Sequence, residues 1–465
     1  MMESIIIITI RNSMFNAFAL PLLAVPLLAT TAEAEYAPVI LAGVLLSLVI
    51  IYTASKVGGE LSRAFGLPPV LGELVAGVLV GASALHLLVF PEGGAAAADS
   101  VVMSILQFVN PLGTEAIASV FKIQSEFLSI LAEIGVIILL FEIGLESDVH
   151  EFKKVGYQAA IVACVGVAVP LVAGTAGLIY FFNISAIPAI FAGAALTATS
   201  IGITSKVLSE LGQLKSREGQ IIVGAAVIDD IFGIIVLAVV SSLAKTGKID
   251  TSTVVNLIVS ATVFLFGSIL LGGMFNKSFT AAANFFKTRG NLIVPALIFA
   301  FLMAFIGNII HLEAILGAFA AGLVLEETDL RKELDDQVKS VADILVPIFF
   351  VTVGAKVDLS VLNPFIPENL TGIIIALFLI AIAIIGKVVT GWTVFGQPNI
   401  NRWAIGIGMI PRGEVGLVFA AIGAASGALD KSLQAAIIIM VILTTFLAPP
   451  FLRIAFGATS NASAK

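Results

Sequence analysis

Apolar runs of the ~20 residues that a helix needs to cross a bilayer recur along this chain from residue 38 to residue 455, separated by short polar connections. They predict thirteen membrane spans, near 38–56, 68–90, 125–145, 155–181, 186–210, 218–244, 252–276, 290–310, 312–328, 340–356, 370–396, 402–427 and 431–455. No polar region between them is large enough to form a soluble domain. Upstream, "MFNAFALPLLAVPLLATTAEAEYAP" runs from an apolar core to the small-residue sequence Ala32-Glu33-Ala34, with Arg11 before it. That is the pattern of a cleavable signal peptide over residues 1–34, with an extra uncleaved span as the alternative.

The apolar pattern also repeats. "AEIGVIILLFEIGLESD" (132–148) aligns without a gap on "ADILVPIFFVTVGAKVD" (342–358), and "VLGELVAGVLVG" (70–81) on "ILGAFAAGLVLE" (315–326). The partners are spans 3 and 10, and spans 2 and 9. Each pair is an odd number of spans apart, so the two copies cross the membrane in opposite directions. Inverted repeats of this kind mark secondary transporters, whose sites form near the midplane where the repeats meet.

Composition agrees with the pattern: 59% of residues are hydrophobic and 12% charged, against about 25% charged in soluble domains. The mean hydropathy is +1.11. An all-α polytopic membrane protein follows, with the lipid bilayer as solvent, no nucleic-acid partner and no enzymatic chemistry expected. The net charge of −7 says less than where the charges fall. One set of alternate loops carries fifteen Lys and Arg residues and the other set five. The positive-inside bias therefore puts the mature N-terminus outside, and the C-terminus, with a short tail at 457–465, in the cytoplasm. The single cysteine, Cys164, lies in an apolar segment, so no internal disulfide or cysteine metal site is available, and it reads as a packing residue. His86, His150 and His311 fall near span ends and read as interfacial.

A few polar residues remain inside the spans, and intramembrane charges are functional candidates by default. Asp229 and Asp230, in "AAVIDDIFGII", sit near the centre of span 6. Adjacent helical residues diverge by about 100°, so the two carboxyls cannot converge as in an intramembrane aspartyl protease. They can instead serve two neighbours, one a structural partner and one a cavity. Burial favours the protonated form of a carboxyl and a nearby cation the ionised form, so such a group can exchange a proton for a small hard cation. Lys387, within span 11, is a candidate counter-charge; snorkelling to the surface is its alternative. Span 5 is interrupted by Thr197, Thr199 and Ser200 in "ALTATSIGITS", and span 12 by Pro411 and Gly413 in "GMIPRGEVG". Interruptions at corresponding places in two halves point to a transporter's binding site. Arg412 and Glu414 flank the second break, and Glu73 and Glu142 lie within spans 2 and 3. A scaffold pair of Arg412 with Glu142 or Glu414 is expected, with Lys206 as a further charge inside span 5.

Taken in order, "VLGELVAGVLVG", "LLFEIGLE", "AAVIDDIFG", "FFVTVGAKVDL" and "GMIPRGEVGLVFA" resemble the landmarks of the cation/proton antiporter-2 family over essentially the whole chain after residue 34. The Asp-Asp pair with a lysine on span 11 is similar to the family's electrogenic sodium/proton antiporters and most like those of cyanobacteria, whereas the potassium-efflux branch usually carries Gln-Asp. The resemblance implies thirteen helices in two inverted repeats with crossed, broken helices. It further implies a homodimer formed by a panel of the remaining spans, and a core of 155–244 and 370–456 that moves like an elevator. By position, Asp230 would bind the ion, with sodium held at Asp230 and Asp229, while Asp229 pairs with Lys387 and Thr197 and Thr199 lie at the broken crossover. The implied cargo is sodium, with lithium or potassium as alternatives, in exchange for protons and without a cofactor. A passive cation channel is the alternative of a different class. The implied setting is the bacterial inner membrane, or the thylakoid in a cyanobacterium. No cytosolic nucleotide-binding domain follows span 13, so gating by nucleotide is not expected.

Overall fold

The computed structural model describes residues 31–91, 95–246, 251–359, 367–396 and 399–462. The proposed signal segment lies outside these except for its last four residues, which open the first helix. The described chain is helical throughout: α1 (Thr31–Ala64), α2 (Pro69–Val80), α3 (Val101–Val109), α4 (Thr114–Glu146), α5 (Val149–Phe182), α6 (Ala186–Ala195), α7 (Ile201–Glu210) and α8 (Arg217–Thr246). Then follow α9 (Thr251–Phe285), α10 (Ile293–Ile309), α11 (Ala314–Glu326), α12 (Arg331–Ala355), α13 (Pro367–Val388), α14 (Arg402–Gly408), α15 (Glu414–Ala425) and α16 (Lys431–Ala462). Seven of these, α1, α4, α5, α8, α12, α13 and α16, are long and apolar enough to cross a membrane by themselves. Each expected span finds a helix or a pair of half-helices at its place.

The differences have physical causes. The second span ends at Val80 rather than near residue 90, because the backbone at Gly81 turns extended (φ −82°, ψ −160°). It packs there against the backbone of Ala355. At 12 and 13 residues, α2 and α11 rise only about 18–20 Å, less than a bilayer core. Both are flanked by protein, so they need not match the lipid. α3 is an additional short helix outside the thirteen. Its Ser100 N-cap accepts from the Met103 amide, and its apolar face packs on α1 and α4. Cys164 is exposed rather than packed inside the bundle.

The repeat shows in matching contacts. A Cβ on Gly77 of α2 would lie 2.9 Å from Gly354 Cα of α12, and one on Gly322 of α11 would lie 2.8 Å from Gly144 Cα of α4. Gly77 corresponds to Gly322 in the short repeat and Gly354 to Gly144 in the long one. Both crossings need glycine because backbone meets backbone.

Helices α5, α6, α8, α13, α15 and α16 pack mainly on one another, as do α1, α2, α4, α10, α11 and α12. The first set, with α7 and α14, is called the core bundle below and the second the flanking bundle. One apolar core joins α5, α6, α13, α15 and α16, another α4 and α9 to α12.

Candidate ion-binding site at the crossed helices

The fifth and twelfth spans are each broken into half-helices, α6/α7 and α14/α15, and the breaks touch. The Ser200 amide donates to the Pro411 carbonyl at 2.9 Å. Pro411 lacks an amide hydrogen, and Gly413 is extended (φ −137°, ψ −153°), with a Cβ there falling 2.9 Å from Ser200 Oγ. Breaking a helix at this depth leaves carbonyls that lipid cannot satisfy, and side chains take them up. Thr204 Oγ1 donates to the Gly408 carbonyl at 3.1 Å, and Thr199 Oγ1 lies at the same distance from that of Met409. Arg412, fully buried, donates through Nη2 to the Leu196 carbonyl at 2.6 Å and through Nη1 to those of Met409 and Ile410. The expected pairing of Arg412 with Glu142 is therefore not formed; its guanidinium is engaged by three backbone carbonyls. The side chain of Glu414 lies outside the described residues.

The α8 carboxylates lie beside this crossing. Lys387 Nζ is 2.6 Å from Asp229 Oδ2, and both side chains are fully buried. The same oxygen accepts from Thr199 Oγ1 at 2.5 Å, which ties the pair to the broken fifth span. Asp229 Oδ1 is buried without a hydrogen-bond partner. Asp230, 3% exposed, is buried next to it. Lys387 fits because Gly166 of α5 leaves room: a Cβ there would lie 3.2 Å from Nζ. Thr197 Oγ1 donates to the Ala194 carbonyl, capping the end of α6. Of the polar residues singled out above, Asp229, Asp230, Lys387, Thr199, Ser200 and Arg412 cluster here. Glu73 and Glu142 do not; Glu73 Oε1 accepts from Ser55 in the flanking bundle at 2.8 Å. Thr204 and Thr445, whose Oγ1 donates to the Arg412 carbonyl, were not singled out; their hydroxyls inside apolar helices were the available signal.

A cavity of about 190 Å³ between the two bundles reaches Arg412 and Gly413, with Ser129, Glu133 and Lys356 among its lining residues.

Comparison with known proteins decides the family. A model of the transmembrane sodium/hydrogen exchanger family matches residues 44–456. The chain belongs to that family. It is 59% identical, over 97% of both chains, to the high-affinity Na+/H+ antiporter NhaS3 of Synechocystis sp.. It is 31% identical to the Na+/H+-K+ antiporter GerN of Bacillus cereus, over 89% of this chain and 97% of that one. Its fold matches the sodium proton antiporter MjNhaP1 of Methanocaldococcus jannaschii with a TM-score of 0.62 at 15% identity, over 89% of this chain and 95% of that one.

Proposed function

We propose that this family member exchanges sodium for protons by alternating access, with both competing for the buried aspartates of α8. The observation that carries the reading is the Asp229 carboxylate, shared by Lys387 and Thr199 beside Asp230 and against two broken helices. Two relatives whose names state Na+/H+ antiport cover nearly the whole chain and support the choice of cargo.

Asp230 receives the cation through oxygen, and the opened backbone of the two breaks brings further carbonyl dipoles close by. Asp229 holds Lys387 while the cation is absent. When the cation arrives, the proton held by Asp230 leaves, the cation's charge takes over the compensation of Asp229, and the pair comes apart. Loss of a second proton, from the freed lysine, gives two protons per sodium and makes exchange electrogenic. One site used in turn by two cargoes couples them, because the core bundle moves only when its charge is compensated. In this reading the core bundle slides like an elevator against the flanking bundle, which forms the homodimer. The C-terminus faces the cytoplasm of a bacterial inner or thylakoid membrane.

A second reading, potassium in place of sodium, draws on the name of the Bacillus cereus relative. Dequenching of a pH dye in proteoliposomes on adding sodium, lithium or potassium, with and without a membrane potential, tests both. Sodium-driven proton movement that responds to the potential is expected. Cation flux without proton movement would overturn the reading in favour of a channel.

A further inference from the structure

Away from Asp229 and Asp230, a second set of charges lies where the core bundle meets the flanking bundle, at the last turn of α7. Lys206, Ser209 and Glu210 are spaced i, i+3 and i+4, so they share one helix face. Each meets the flanking bundle. Ser209 Oγ donates to Glu146 Oε2 of α4 at 3.1 Å, and Glu210 Oε2 accepts from the Val70 amide at the start of α2 at 3.4 Å. Lys206 is the cation near Glu73 of α2, Glu142 of α4 and Glu210 itself. Glu142 is 7% exposed, and its Oε2 is buried without a hydrogen-bond partner.

We propose that the last turn of α7 is a latch that holds the core bundle on the flanking bundle, and that Glu142 is the proton-binding group that controls it. The latch regulates the exchange proposed above and rests on that reading for its role. α4 runs along both ends of this interface. Ser129 and Glu133 line the cavity that reaches Arg412, whereas Glu146 accepts from Ser209 of α7 and Glu142 lies one turn before it on the same helix face. Thirteen residues from 133 to 146 put those places about 20 Å apart along the helix. The interface is thus open at one end and fastened at the other.

The sign follows from the unpartnered oxygen. A buried neutral carboxyl tolerates a missing partner far better than a buried carboxylate does. With Glu73, Glu142 and Glu210 all ionised, three negative charges also surround one lysine. Glu146, Asp335 and Lys339 are further charges near Glu142, and Lys56 and Asp343 near Glu73. Lys339 is already held by Glu146 at 2.8 Å and Asp335 at 2.7 Å. The docked arrangement therefore suits a protonated Glu142, and loss of that proton favours release. Exchange should rise with pH as Glu142 titrates.

Two measurements test this. In proteoliposomes, Glu142→Gln should depress exchange at alkaline pH at least tenfold and flatten its pH profile, with apparent sodium affinity unchanged, while Glu142→Asp keeps a pH-dependent profile. In nanodiscs, where both faces are accessible, Ser205→Cys in a Cys164→Ser background places a thiol on the covered face of α7, since Ser205 is fully buried. Its labelling by a polar maleimide at alkaline pH should be at least fivefold slower when Glu142→Gln is added. Comparing the two proteins at one pH removes the thiol's own ionisation. Equal labelling, or an unchanged pH profile, overturns the latch. A wild-type protein without sodium-driven exchange would overturn the antiport reading while leaving the labelling comparison intact.

Discussion

Two lysines lie inside the membrane-spanning part of this protein, and their surroundings are opposite in kind. Lys387 makes a contact ion pair with Asp229, both fully buried, in a niche cleared by Gly166. Lys206 lies near three glutamates and makes no contact ion pair among the described residues. A tight buried pair leaves a large penalty when one partner is removed, because the other charge stays behind. A loose cluster spreads its charge over several partners and can rearrange at small cost. The first arrangement suits a site that must be neutral before it moves. The second suits a contact that is made and broken.

The comparison can be broken at several places. The largest effect is expected for Asp230→Asn, which should abolish sodium-driven proton release in proteoliposomes while the protein stays monodisperse in size-exclusion chromatography; retained exchange would remove Asp230 from the site. Lys387→Gln should come next, lowering stability by about 3–5 kcal/mol in a thermal-shift assay. Adding Asp229→Asn should restore much of it, since no orphan charge remains. Lys206→Gln should cost less than about 1 kcal/mol in the same assay and show its effect in the pH profile. Similar thermal losses for the two lysines would erase the distinction between them. Thr199→Val removes the hydroxyl that donates to Asp229 and should weaken apparent sodium affinity about tenfold, equivalent to about 1.4 kcal/mol. Cys164→Ser, at an exposed position, should leave exchange and stability within about 0.5 kcal/mol of the parent.

Much of this arrangement can be read before any coordinates. Apolar length finds the helices, and Pro411, Gly413 and the Thr197 to Ser200 cluster mark both breaks, because proline and hydroxyls inside apolar helices are local signals. Lys387 and the aspartates stand out because charge at that depth is rare. Partners are harder. Arg412 has carboxylates at plausible depth, yet the broken backbone supplies carbonyls nearer to it, and only the crossing of two distant segments shows that. The neighbours of Lys206 are hidden from the sequence for a similar reason: Glu73 and Glu142 come from helices far away in the chain. Gly81 ends α2 early through a contact with Ala355, which no local pattern reveals.

The paired glycine crossings carry a consequence for the symmetry of the fold. Gly77 of the first half meets Gly354 of the second, and Gly322 of the second half meets Gly144 of the first. If each half were a separate chain, these would be one contact made twice, the isologous pattern of a two-fold dimer. Because the halves cross the membrane in opposite senses, that dimer would be antiparallel. The present chain makes that contact twice along its internal seam, with glycine on both sides of both crossings.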